Sequence, residues 1–130
     1  MHYGGGTVQF EIDERQPIYR QIMDALIRQI ARGHWPPGGK LPSIREVAEG
    51  VRVNPNTVAR AFQELERTGL VETRRGEGTF VTIDTKVIKD CREETAREVW
   101  AEFLVKIREL GFTNEDVQRL AAELKEEGKR

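Results

Sequence analysis

Residues 41–81 place short hydrogen-bonding side chains and guanidinium groups at spacings suited to a ligand that carries both bases and phosphates. Asn54, Asn56, Thr57 and Arg60 fall within one stretch of seven residues. Asn and Thr side chains both donate and accept, so they match adenine edges, and a Thr methyl meets a thymine methyl; a guanidinium reaches phosphate. Further on, Arg74-Arg75-Gly76-Glu77-Gly78 sets two cations beside two glycines. Glycine lets the backbone approach a ligand closely while the guanidiniums supply charge, which suits a minor groove or a sugar-phosphate edge. A solvated hairpin tip is the competing reading. Glu77 works against phosphate contact and is expected to turn outward.

Catalytic chemistry is not expected. The chain holds two histidines, His2 and His34, one in the N-terminal stretch and one in a loop. It shows no HExxH, paired-cysteine or nucleophile-elbow pattern. Gly39-Lys40 invites a phosphate-loop reading, but that motif needs Gly at the position of His34 and Ser or Thr at that of Leu41. Lys40 stays open between a phosphate neighbour and a solvated charge. No cofactor is expected.

The elements that must position these groups are written in local signals. Ser43 with Glu46 three residues on is a capping box, and Asn54-Pro55 is a second helix start. Gly50 is expected to stop the first helix after about two turns. Two helices joined this tightly cross steeply, as in a helix-turn-helix. Ile44, Val47, Ala48, Val51 and Val53 should be core. Val58, Phe62 and Leu65 bury one face of the second helix and Gly69 ends it, leaving Asn56, Thr57 and Arg60 exposed near its start. Leu70-Val71-Glu72-Thr73 and Thr79-Phe80-Val81-Thr82 then flank residues 74–78 as a hairpin with a basic tip, a wing. Upstream, Val8, Phe10 and Ile12 alternate with polar residues, predicting a short strand or an extended arm. Pro17 opens a helix whose stripe Ile18, Ile22, Leu26 and Ile30 faces the core and which ends at Gly33.

Most candidate residues carry a bland alternative. Arg45 can pair with Glu49 at i+4, Arg60 with Glu64 in the same way, and Asn54 is fully explained as a cap. Arg52, in the turn, is open in both directions. Asn56 and Thr57 have no such alternative and rank first for base contact.

The totals restrict the remainder. Net charge is −1, with eleven basic and ten acidic residues in residues 1–83, so any nucleic-acid affinity must come from charge arranged on one face. The single Cys91 excludes an intrachain disulfide and fits a reducing cytoplasm. No run is long and apolar enough to span a membrane, and residues 1–6 lack the apolar core of a signal peptide. After Asp84 a long helix is expected, with Cys91, Thr95, Val99, Phe103, Ile107 and Leu110 in steps of four and three, stopped by Gly111. Thr113 with Asp116 caps a further helix carrying Val117, Leu120, Ala121 and Leu124. Two helices following a closed domain have little core of their own. Val99, Trp100, Phe103, Leu104, Ile107, Val117, Leu120 and Leu124 are therefore expected to meet the same face of a second subunit; folding back on the first domain is the alternative. Trp100, Phe103 and Phe112 could line an inducer site, though core packing is the preferred reading.

Leu41-Pro42-Ser43, the stretch NPNTVARAFQELE, Gly69-Leu70-Val71 and Arg75-Gly76-Glu77-Gly78-Thr79-Phe80-Val81 resemble the winged-helix domain of GntR-family transcription regulators, and the YtrA subfamily in particular. The resemblance implies an α+β fold: a flexible arm at residues 1–9, a winged helix-turn-helix domain at 10–83 and a helical dimerisation or effector tail at 84–130. It implies a homodimeric, sequence-specific repressor of a bacterial transport-type operon, binding a palindromic double-stranded DNA operator, with a small-molecule inducer of unknown identity. It implies DNA contact through Ser43, Arg45, Arg52, Asn54, Asn56, Thr57, Arg60, Arg74, Arg75, Gly76 and Gly78, with Arg45 on phosphate. It also implies an aromatic lid at Trp35. Many members carry arginines where this chain has Pro55 and Ala59, which puts guanine readout from those positions in doubt. The competing function is a protein-interaction module on the same scaffold.

Overall fold

The computed structural model describes Val8 and residues 10–128 and divides the chain into two compact units, one ending at Glu93 and one beginning at Glu94. The expected glycine-rich start lies outside the described residues.

In the first unit, α1 (Ile18–Ala31) buries Ile22, Leu26 and Ile30, the predicted stripe. It closes with Arg32 still right-handed and Gly33 at φ +82°. The segment before α1 forms no strand among its described residues, but Val8 is buried and Phe10 and Ile12 pack against the core. Gln21 ties that segment to α1: its Oε1 accepts the Asp13 N–H at 2.8 Å, and its Nε2 donates to the Asp13 and Gln16 carbonyls at 2.7 and 3.2 Å. A fixed Gln16-Pro17 corner at the start of α1 results.

Helix α2 (Ile44–Val51) starts on the predicted capping box. Ser43 Oγ accepts the Glu46 N–H at 3.1 Å, and Glu46 Oε1 accepts the Ser43 N–H at 3.2 Å. Its end corrects the sequence reading. Gly50 lies inside the helix, and the stop is Arg52 in the left-handed region at φ +61°. Burial of Val51 carries the helix past Gly50, so the reversal into α3 falls on the next residue. Gly50 serves a different need, since a Cβ there would sit 3.2 Å from the Val8 carbonyl oxygen.

Helix α3 (Pro55–Arg67) has Asn54 as its cap, Oδ1 accepting the Asn56 N–H at 2.8 Å, and Pro55 in its first turn. Val58, Ala61, Phe62 and Leu65 are buried against α1 and α2. The wing is an antiparallel pair, β1 (Val71–Arg74) and β2 (Gly78–Val81), in the register Val71↔Val81 and Arg74↔Gly78. Arg74 and Gly78 therefore belong to the strands, and the tip is Arg75-Gly76-Glu77. The loop before α2 adds to the wing: Leu41 N–H donates to Thr79 O and Val81 N–H to Gly39 O, both at 2.8 Å, so Lys40 bridges Phe80. Glu66 Oε2 accepts the Thr73 N–H at 2.8 Å and fixes the wing to α3. Trp35 is buried at the edge of this core, as the resemblance implied.

Helix α4 (Thr85–Glu109) follows the wing after three residues and begins in the first unit, where Val87, Ile88 and Cys91 pack against the core. Gly111, at φ +84°, follows its end. In the second unit Thr113 caps α5 (Asn114–Glu127) through a capping box with Asp116. Among the described residues of this unit only Val117 is buried.

Candidate nucleic-acid interface

Capping by Asn54 and the preset φ of Pro55 expose the first turn of α3, while Val58 and Phe62 anchor its other face. Asn56 is exposed and Thr57 half-buried, and among the described residues no hydrogen bond engages either side chain. Both are free to answer a ligand. Asn54 spends its oxygen on the cap. Ser43 does likewise, though it stays exposed at the start of α2.

Arg60 does not make the i+4 pair with Glu64 in the free chain. Glu64 accepts from Arg67 at 3.3 Å, and the Arg60 guanidinium instead lies over the Tyr19 ring, 3.8 Å from its centroid. Gln16 and Pro17 just before α1, Ile18, Tyr19 and Arg20 from its first turn, and Asn56, Thr57 and Arg60 from α3 together line one open groove. Arg20 Nε donates to Tyr19 Oη at 3.4 Å, and the phenol oxygen holds the Arg20 guanidinium above its usual pKa. Sequence reasoning missed Tyr19 and Arg20 as neighbours of α3. Their one sequence signal is position: the first turn of a helix that must pack beside α3.

The flanking cations differ in freedom. Arg45 makes the predicted pair with Glu49 at 3.3 Å, but both side chains are largely exposed, so the pair is weak enough for phosphate to displace. Arg52 is exposed in the strained turn. Arg74 folds back on the wing: its guanidinium lies 4.2 Å from the Phe80 centroid and 3.9 Å from Glu72, because its strand position places it diagonally across from that ring. It is the least available of the wing cations. Arg75, exposed at the tip, has no ionic partner among the described residues. Gly76 takes φ +80°, and Gly78 takes φ +125° with Lys40 Cε 2.8 Å from where its Cβ would sit. Lys40 thus crosses the wing at Gly78, adding a cation that the sequence left undecided.

In the second unit Val99, Trp100, Phe103 and Leu124 are exposed, Leu104, Ile107 and Leu120 half-buried and Val117 buried. Trp100 and Phe103 stack at 5.3 Å. No helix among the described residues is long and apolar enough to cross a membrane.

Comparison with known proteins agrees with this geometry. The profile of bacterial regulatory proteins, gntR family, matches residues 18–81. The HTH-type transcriptional regulator YhcF of Bacillus subtilis is 41% identical over 107 residues, 82% of this chain and 88% of that one. The HTH-type transcriptional repressor YtrA of the same organism is 46% identical over 78 residues, 58% of this chain and 60% of that one. Among solved structures, the DNA-binding domain of AraR in complex with operator ORX1 superposes with a TM-score of 0.51 at 29% identity, covering 57% of this chain and 90% of that one.

Proposed function

The chain belongs to the gntR family of bacterial regulatory proteins and is a DNA-binding transcriptional regulator; we propose that it acts in the cytoplasm as a homodimeric repressor reading a palindromic operator. The observation that carries the reading is the first turn of α3, where the side chains of Asn56 and Thr57 have no hydrogen-bond partner among the described residues and stand beside Arg60. A helix entering the major groove by its N-terminal turn would bring these two to base edges. Arg45, Arg52 and Arg75 then supply phosphate contacts on either side, with Ser43, Asn54, Gly76 and Gly78 bringing the backbone close and Arg74 contributing from the wing's side.

Dimerisation rests on the tail. Trp100 at 52% and Phe103 at 38% exposure form a stacked aromatic pair on α4, with Val99 and Leu104 beside them. A second copy would cover that face, together with Ile107, Val117, Leu120 and Leu124. Two reading helices about 34 Å apart would then meet successive major grooves. The repressor role follows the likeness to the YtrA repressor; a transport-type operon and release by a small-molecule inducer are carried over from the subfamily resemblance alone. An inducer would act by changing the spacing of the two reading heads.

The test is fluorescence-anisotropy titration of the fragment upstream of the protein's own gene against random duplex at two salt concentrations. Sedimentation velocity on the same samples reads the stoichiometry. The proposal expects preference for the upstream fragment, weakening with salt, and two chains per site. A single chain per site would remove the dimer; equal retention of both duplexes would remove the self-regulated operator.

A further inference from the structure

Tyr19 is a half-buried aromatic of α1 whose ring faces the reading helix and not the core alone. The Arg60 guanidinium rests on its face at 3.8 Å, and its hydroxyl accepts from Arg20 at 3.4 Å. One phenol thus organises two cations on a groove that Asn56 and Thr57 also line. The acidic groups facing this cluster are Asp24 and Glu64, which act on Arg20 through space, while Glu64 itself pairs with Arg67. Among the described residues Arg60 has its contact with this ring, and Glu64 is engaged by Arg67.

We propose that Tyr19 is a positioning residue for DNA recognition: it holds the Arg60 guanidinium beside Asn56 and Thr57 and makes the start of α1, with Arg20, part of the DNA-contacting surface. A free arginine on the solvent side of α3 would sample many rotamers and lose that freedom on binding. Stacked on a ring that is itself packed against the core, Arg60 enters the complex already ordered, with its edge N–H groups open to phosphate. Arg20 places a second cation at the hydroxyl of the same ring. The surface that a strand of DNA would follow runs from the wing through the start of α3 to the start of α1. The inference rests on the regulator reading above and adds a residue through which the reading helix is pre-ordered.

The experiment is a double-mutant cycle, read by anisotropy on a duplex enriched by the wild-type chain from a random library. The variants are Tyr19→Phe, Tyr19→Leu, Arg60→Ala and the Tyr19→Leu/Arg60→Ala pair, each checked by thermal melting. Loss of an exposed cation–π contact should weaken binding by about two- to fivefold in Tyr19→Leu. Tyr19→Phe keeps the ring under Arg60 and loses only the bond to Arg20, so it should fall between wild type and Tyr19→Leu. The double variant should bind no more weakly than Arg60→Ala alone. Additive losses, or a Tyr19→Leu chain that binds like wild type, would overturn the proposal while leaving the regulator reading intact. Should Tyr19→Leu unfold, the NMR shift of the Arg60 side chain in the free wild-type protein decides. An upfield ring-current shift supports the stack, and an unshifted resonance overturns it. If the wild type enriches no duplex, the regulator reading fails and takes this inference with it.

Discussion

Replacing Arg52 with glycine should make the protein more stable and a poorer DNA binder at once. Arg52 holds φ +61° at the end of α2, the only non-glycine residue with positive φ among those described. For an L-residue that conformation costs about 1–2 kcal/mol. Glycine removes the cost but brings a more flexible unfolded chain, worth roughly 0.5–1 kcal/mol in the other direction. The net is a gain of about 0.5–1 kcal/mol. For a unit of this size that raises Tm by about 2–8 °C. The turn survives, because the bonds that close it are made by the backbone: the Arg52 and Val53 N–H groups both donate to Ala48 O. The same substitution removes an exposed guanidinium from the proposed phosphate-facing side. Binding should weaken at every sequence alike, with a salt slope shallower by about one. Circular-dichroism melting and anisotropy titrations at several salt concentrations read both effects on one sample. A glycine variant that melts at or below the wild-type temperature would refute the strain argument. A variant with unchanged salt slope would refute the phosphate assignment of Arg52.

Other substitutions test other parts of the account. Ser43→Ala removes the side-chain half of the α2 capping box and should cost about 1 kcal/mol in urea denaturation; no change would mean that water caps the helix equally well. Gly78→Ala forces φ +125° on an L-residue and pushes aside the Lys40 side chain. It should cost about 1–3 kcal/mol and speed hydrogen exchange at Arg74 and Thr79, and unchanged exchange there would contradict the wing geometry. Asp116 is held below the ordinary aspartate range by the Thr113 N–H, then the Thr113 hydroxyl, bonding its carboxylate. Its folded-state value is depressed, so its contribution is present above the unfolded value and lost as pH falls through the folded one. Protection of the Thr113 amide, followed by NMR, should therefore hold at neutral pH and fade only on the acid side of the aspartate range; fading near neutral pH would contradict the assignment. Trp100→Glu puts a charge on the exposed aromatic pair and should shift sedimentation toward the monomer without lowering Tm of the winged unit.

What the sequence disclosed depended on the range of the interaction. Ser43 with Glu46, Asn54 with Pro55, and Thr113 with Asp116 are rules of three or fewer residues, and each forms as its spacing predicts. The apolar stripe of α1 and the buried face of α3 were equally plain, because helical period alone sorts inside from outside. The helix stop was misplaced since glycine is the usual left-handed residue, and nothing local marks an arginine that the α2–α3 crossing forces into that region. Arg74 was placed at the tip because a shift of one residue in the hairpin leaves the composition unchanged but changes which side chains meet Phe80. The contact of Tyr19 with Arg60 joins residues far apart in the chain and exists only through the packing of α1 on α3. Helical period carries no information about which neighbour the Tyr19 ring would face.

The central claim is that the first turn of α3 reads sequence. Enrichment of a random duplex library by the wild-type chain and by the Asn56→Ala/Thr57→Ala variant, followed by sequencing, tests it most directly. The account predicts that the wild type enriches a palindrome with half-sites about one helical turn apart. It predicts that the variant binds DNA with the same salt dependence but loses discrimination at the central positions of each half-site, where each mismatch normally costs about 1–3 kcal/mol. Identical motifs from both proteins, or no enrichment by the wild type at low salt, would contradict it.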